Sequence, residues 1–166
     1  MNASVNNFPQ KRQMSSSGFT LIELMVTIAV LAIIVSIAAP SFSNQLAKGQ
    51  INKTFNLIQT SIEKAKAESA VSRNNITWSY DNTVKRITLS NNSNVIESYN
   101  LSSNSSLTFT PANTTSLVIN QEGFITLTDG TAANITIDIN DTRANSITKK
   151  VRINTKRAFE CSGTNC

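Results

Sequence analysis

The chain opens its hydrophobic pattern with a block rather than a period. Leu24–Ala39 is almost wholly apolar, and no charged residue falls between Leu24 and Ala47. A helix rises about 1.5 Å per residue, so about 20 such residues cross a hydrocarbon layer of about 30 Å. The block therefore qualifies as a membrane helix. Lys11 and Arg12 precede it and predict a cytoplasmic N-terminus, with everything after Phe42 carried across the membrane. A cleaved secretory signal is the usual competitor. Ala38 and Ala39 imitate its small-residue site, but Pro40 directly behind them and the helical pattern beyond argue against it.

Past the block the pattern becomes periodic. Pro40 lacks an amide donor and crowds the carbonyl of Ser36, which predicts a kink or a loosened turn there. Ile51, Phe55, Ile58, Ile62, Ala65 and Ser69 then recur at spacings of four and three and draw one stripe along a helix. Lys53, Lys64, Lys66 and Glu68 fall mostly off that stripe. It predicts a seam that packs the helix on the chain's own globular domain. SRNN, Ser72–Asn75, supplies a stop. A helix from Phe19 to about Val71 would be about 80 Å long.

From residue 76 the period shortens to two. ITWSY (76–80), KRITLS (85–90), NVIESYNL (94–101), SLTFT (106–110), SLVIN (116–120), GFITLT (123–128), NITIDI (134–139) and SITKKVRIN (146–154) are short β-branched or aromatic runs separated by Asn, Ser, Asp and Gly. Ile135, Ile137 and Ile139 share one face, with Thr136 and Asp138 on the other. The expected fold class is α+β: a long N-terminal helix, membrane half plus amphipathic half, packed on a C-terminal antiparallel β domain. A length of 166 residues fits one modest core beside the apolar block.

Composition narrows the chemistry. The chain has no histidine and two cysteines, Cys161 and Cys166, in CSGTNC at the end of the sequence. A disulfide between them would close a very small loop and pin a tail in an oxidising compartment. Without histidine there is no His-based triad and no His metal ligand, and the cysteines stand too close together to share zinc with distant partners. Asp138, Asn140 and Asp141 imitate a calcium loop but lack its glycine and terminal glutamate. Gly123 and Gly130 are isolated turn glycines. The expectation is a non-enzyme with no cofactor and no metal.

One residue does not fit a plain anchor: Glu23, at the start of the apolar block. SSSGFTLIELMV, Ser15–Val26, resembles the N-terminus of a type IV pilin or pseudopilin, with a short basic leader, Gly18, then Phe19, Thr20, Leu21, Ile22 and Glu23. The resemblance implies that a prepilin peptidase removes residues 1–18 between Gly18 and Phe19 and methylates the new amine. It also implies a transmembrane and filament-core helix over 19–45 and a periplasmic head over 46–166, divided into an amphipathic helix, 46–72, and a β domain, 76–166. An ionised side chain at the bilayer centre costs about 2.5–3.5 kcal/mol even on lenient scales, so Glu23 needs a partner. In the family that partner is proposed to be the N-terminal amine of a neighbouring subunit. At about 4 Å and an effective dielectric of about 20 the attraction is about 4 kcal/mol before desolvation.

A narrower resemblance covers the head. FNLIQTSIEKAKAESAVSRNNITWS (55–79), LVINQEGFITL (117–127) and VRINTKRAFEC (151–161) are similar to the helix end, strand–Gly turn–strand element and basic tail of GspH/FimT-type minor pilins and pseudopilins. The likeness implies a two-sheet β domain and a low-abundance subunit that primes pilus assembly near the tip, supporting adhesion, twitching motility or DNA uptake. Its partners would be other minor pilins, the major pilin, the prepilin peptidase and the inner-membrane assembly platform. The expected location is the bacterial inner membrane, single-pass with a periplasmic head, and then the filament at the cell surface. A GspH-like pseudopilin of type II secretion is the alternative on the same architecture.

Charge distribution adds a third reading. From Ile87 to Thr142 there are five acidic residues and no basic ones; from Arg143 to Arg157 there are six basic residues and no acidic ones. Lys150 and Arg152 are expected on one strand face opposite Ile147, Val151 and Ile153, with Lys156 and Arg157 in the turn that follows. Lys149, Lys150, Arg152, Lys156 and Arg157 are thus candidate contacts to double-stranded DNA, through phosphates and with a steep salt dependence. Some FimT-type pilins are associated with DNA capture through a C-terminal Gly-Arg-x-Arg pattern. Here Asn154, Thr155, Lys156 and Arg157 occupy that stretch, without the glycine or the second spaced arginine. The same charges also suit a solvated edge or the acidic surface of a neighbouring subunit.

Overall fold

A computed structural model describes residues 18–144 and 146–161. The leader positions before Gly18, together with Cys166, lie outside the described residues. The chain forms two compact units, Met1–Ala38 and Ala39–Cys166, and the helix α1 (Leu21–Ser72) contributes to both.

In the first unit the helix is apolar on every side. Its most hydrophobic 18-residue window has a mean hydropathy of 2.7, and none of it is buried among the described residues. The few hydroxyls bond back to their own turn: Thr27 donates to the Leu24 carbonyl at 2.8 Å and Ser36 to the Ile33 carbonyl at 2.7 Å. Such back-bonding satisfies a polar group where hydrocarbon offers no partner.

The second unit is built on the stripe read from the sequence. Ala47, Ile51, Thr54, Phe55, Ile58, Ser61, Ile62, Ala65 and Ser69 are the buried positions of α1, while Pro40 lies inside the helix rather than ending it. Two antiparallel sheets pack on that seam. The first has the order β3-β2-β1-β5-β6, from Asn94–Asn100, Arg86–Asn91, Ile76–Asp81, Ser116–Ile119 and Ile125–Leu127. The second has the order β4-β7-β8-β9, from Ser105–Thr110, Asn134–Asp141, Thr148–Asn154 and Ala158–Cys161. One buried cluster joins helix and sheets, with Ile58 and Ile62 of α1 in it together with Trp78, Leu89, Leu117 and the Ile135–Ile137–Ile139 face of β7. Trp78 is fully buried, and its indole N–H donates to Ser61 Oγ at 2.8 Å.

The sequence-based strand reading differs from the structure at the turns. GFITLT yields only Ile125–Leu127, because Asn120 Oδ1 accepts the amides of Glu122 and Phe124 and Gly123 takes a positive φ of 78°, making a turn of the first residues. SITKKVRIN starts pairing at Thr148 because the residues before it turn, with Ala144 N–H donating to the Asp141 carbonyl and Ile147 N–H to the Ala144 carbonyl. β9 was not expected. Asn154 Oδ1 accepts the amides of Lys156 and Arg157, and Asn154 N–H donates to the Arg157 carbonyl, folding Ala158–Cys161 back on β8.

Asp141, at the end of β7, is the one charged side chain buried in the head among the described residues, at 1% exposure. Arg143 Nε and Nη2 donate to its two oxygens at 2.8 and 2.7 Å, and the Arg143 amide adds a third bond at 3.0 Å. These bonds hold its carboxyl below the usual carboxylate pKa against the opposing effect of burial.

Candidate assembly and anion-binding surfaces

Glu23 lies in the first turn of α1. Thr20 stands immediately before that turn: its carbonyl accepts the Leu24 amide and its hydroxyl accepts the Glu23 amide, both at 3.2 Å. Thr20-Leu21-Ile22-Glu23 has the spacing of a capping box. Sequence reasoning overlooked Thr20, although a Thr-x-x-Glu directly ahead of an apolar run is the signal for it. The positive end of the helix dipole favours a carboxylate at this position. No cation lies within ion-pair distance of Glu23 among the described residues. Gly18 and Phe19 precede the helix in irregular backbone, and Phe19 is 79% exposed.

The period of two along β8 divides the candidate phosphate-binding residues. Lys150 and Arg152 project from the outer face, opposite the buried Val151 and Ile153. Lys150 Nζ lies 3.3 Å from Asp138 Oδ1, and Arg152 donates from Nε and Nη2 to Asn134 Oδ1 at 3.3 and 3.0 Å. Lys149 points the other way. Its ammonium sits 4.0 Å from the Phe55 ring centroid, donates to Asn52 Oδ1 at 3.1 Å and pairs with Glu160 at 3.1 Å. That arrangement clamps β8 and β9 to α1 and takes Lys149 away from the other four.

Lys156 and Arg157 stand exposed in the β8–β9 turn, where the Lys156 carbonyl accepts Lys66 Nζ at 3.0 Å. Arg157 lies over the Phe159 ring at 5.2 Å, and Phe159 is the register partner of Arg152. Arg152, Phe159 and Arg157 therefore form a basic and aromatic strip at the edge of the second sheet. Phe159 was not singled out from sequence because its strand was not. Cys161 ends β9 opposite Lys150, while Cys166, its proposed disulfide partner, lies outside the described residues.

Comparison with known proteins bears on both units. Residues 13–39 match the family model described as the prokaryotic N-terminal methylation motif. The chain is 53% identical over 38 residues to the fimbrial protein EcpB of Eikenella corrodens, covering 23% of this chain and 24% of that one. It is 41% identical over 51 residues to a fimbrial protein of Moraxella nonliquefaciens, covering 29% and 33%. These alignments thus span only about a quarter to a third of the curated relatives. The fold aligns with the type IV minor pilin FimU of Pseudomonas aeruginosa at a TM-score of 0.56 and 13% identity, over 69% of this chain and 90% of that one. The N-terminal segment is thus similar to that of type IV fimbrial proteins, and the fold to that of a minor pilin. Residues 13–39 carry the likeness in sequence, and a long helix with two antiparallel sheets carries the likeness in fold.

Proposed function

We propose that this pilin-like chain is a minor subunit of a type IV pilus. A prepilin peptidase removes residues 1–18 at Gly18–Phe19, the Phe19 amine is methylated, and the apolar helix holds the subunit in the inner membrane with a periplasmic head until it enters a filament beside other minor pilins and the major pilin. One observation carries the reading. Among the described residues, an 18-residue apolar window is left uncovered, and the apolar run begins at a carboxylate with no cation beside it. Lipid can cover the first, and a neighbour's N-terminal amine can satisfy the second. The minor rather than major role is supported by the alignment with FimU over 69% of this chain, which is a likeness of fold. A GspH-like pseudopilin of type II secretion would share all these features, and its gene neighbours would be secretion-channel components.

The test is Glu23→Ala in the native host. The variant is expected to be processed and membrane-inserted yet absent from sheared pili, and normal incorporation would contradict the assignment of Glu23 to assembly.

A second reading, a DNA-binding pilin used in transformation, is favoured by the Arg152–Phe159–Arg157 strip with Lys150 and Lys156 nearby. Cations beside a half-buried ring suit phosphates and sugar without reading bases. Lys156→Ala with Arg157→Ala should weaken binding of double-stranded DNA and flatten its salt slope. Unchanged micromolar binding and slope would remove this strip as the DNA site.

A further inference from the structure

One polar cluster in the head brings an amine, a carboxamide and a carboxylate together. Lys149 of β8 donates from Nζ to Asn52 Oδ1 of α1 at 3.1 Å, across 97 positions of sequence. Glu160 of β9 stands 3.1 Å from the same nitrogen, and the centroid of the Phe55 ring lies 4.0 Å from it. The three polar residues share a cavity of about 200 Å³ with the aliphatic Ile51 and Ile147. Lys149 is the most enclosed of the three, its side chain 19% exposed against 54% for Glu160, with Asn52 at the exposed rim.

Three elements converge to build this set. Asn52 and Phe55 stand three residues apart on α1, so they share a helix face. Glu160 is the register partner of Val151 and projects from the same sheet face as Lys149, two residues earlier on β8. A second amine–carboxamide contact supplies the contrast. Lys85 Nζ donates to Asn82 Oδ1 at 2.8 Å within one turn, but no carboxylate lies within ion-pair distance of it among the described residues. Nothing there is placed to take the proton that an amine must lose before it can act as a nucleophile.

We propose that Lys149 and Asn52 react to form an intramolecular isopeptide bond, with Glu160 as the proton-transfer group. The Lys149 ammonium gives a proton to Glu160, and the free amine attacks Asn52 Cγ, one bond from the oxygen it already contacts. The Nζ–Cγ bond forms. Glu160 then hands its proton to Asn52 Nδ2, the Cγ–Nδ2 bond breaks and ammonia leaves, taking the surplus proton of Nζ with it as ammonium. The protein loses one positive charge, and no oxidant, reductant or cofactor takes part. Holding amine and amide in one cavity supplies the proximity that free side chains lack. The product ties α1 to β8 and closes a covalent loop over β1–β7, so a pull on the helix reaches the second sheet through a bond rather than an ion pair. The reaction needs only the folded head and is independent of the filament reading.

The test is mass spectrometry of the full-length chain, purified in detergent and held folded at neutral pH. The intact mass is expected about 17 Da below that of the unlinked chain, the loss of one ammonia. A succinimide at an asparagine loses the same mass, so a tryptic digest must also show residues 49–53 joined to residues 144–150 through Asn52 and Lys149. Asn52→Asp should still link, with the loss of water, about 18 Da, instead. Lys149→Arg and Glu160→Gln should keep their full masses, while Lys85→Arg should link as the parent does. Emission from the fully buried Trp78 reports that each variant is folded. A folded parent chain at full mass, or an ammonia loss that maps to other residues, overturns the proposal. A link that forms as fast in folded Glu160→Gln as in the parent overturns the role given to Glu160.

Discussion

Asp141 keeps its charge inside the head because Arg143 supplies two side-chain donors and a backbone amide to its oxygens. A carboxyl held below its unfolded pKa of about 3.9 contributes stability that is complete above that value and is lost as pH falls through the lower folded value. Asp141→Asn should therefore lower the thermal midpoint at pH 7, and its gap from the parent chain should close as the pH drops below about 4, measured by thermal melts in detergent. Ser61 is a second such residue. It accepts the buried Trp78 N–H, so Ser61→Ala leaves that donor unpaired and should cost about 1–3 kcal/mol in denaturant unfolding. Glu23 is the opposite case, a carboxylate without an internal cation, and its chemistry was legible because a lone charge in an apolar run is conspicuous in sequence. Thr20 was not read, since its capping role depends on where the helix begins.

The amphipathic half of α1 was readable because its burial follows one period. Ile51, Phe55, Ile58, Ile62, Ala65 and Ser69, the stripe drawn from spacing, are all buried. Ile62→Ala should cost about 2–5 kcal/mol through lost transfer and a residual cavity, whereas the exposed Lys53→Ala should stay within about 0.5 kcal/mol, both by denaturant titration. β9 escaped detection for a physical reason. Ala158–Cys161 has four residues, only partial burial and no lengthy alternation, so its strand character comes from the Asn154 turn and the β8 ladder. Lys149 was grouped with Lys150 by adjacency, but neighbouring residues on a strand face opposite ways.

At the scale of the whole molecule, the described residues leave uncovered an apolar helix and, on the head, Arg152, Lys156 and Arg157 without a carboxylate at ion-pair distance. Their physics predicts different dependences. DNA contact at the Arg152–Phe159–Arg157 strip should weaken linearly in log–log terms with salt, and Lys149→Ala, which removes a clamp on Phe55, should leave the slope unchanged while lowering the melting temperature. Contacts of the apolar helix should resist salt, because burial of hydrocarbon does not depend on screening. The central claim is that this helix is kept and re-used rather than discarded as a signal. Intact-mass spectrometry of the chain purified from membranes of its own host tests it most directly. The account predicts a polypeptide beginning at Phe19 and bearing one methyl group on its amine. A chain that retains residues 1–18 in cells with an active prepilin peptidase, or one that begins after Ala39, would contradict it.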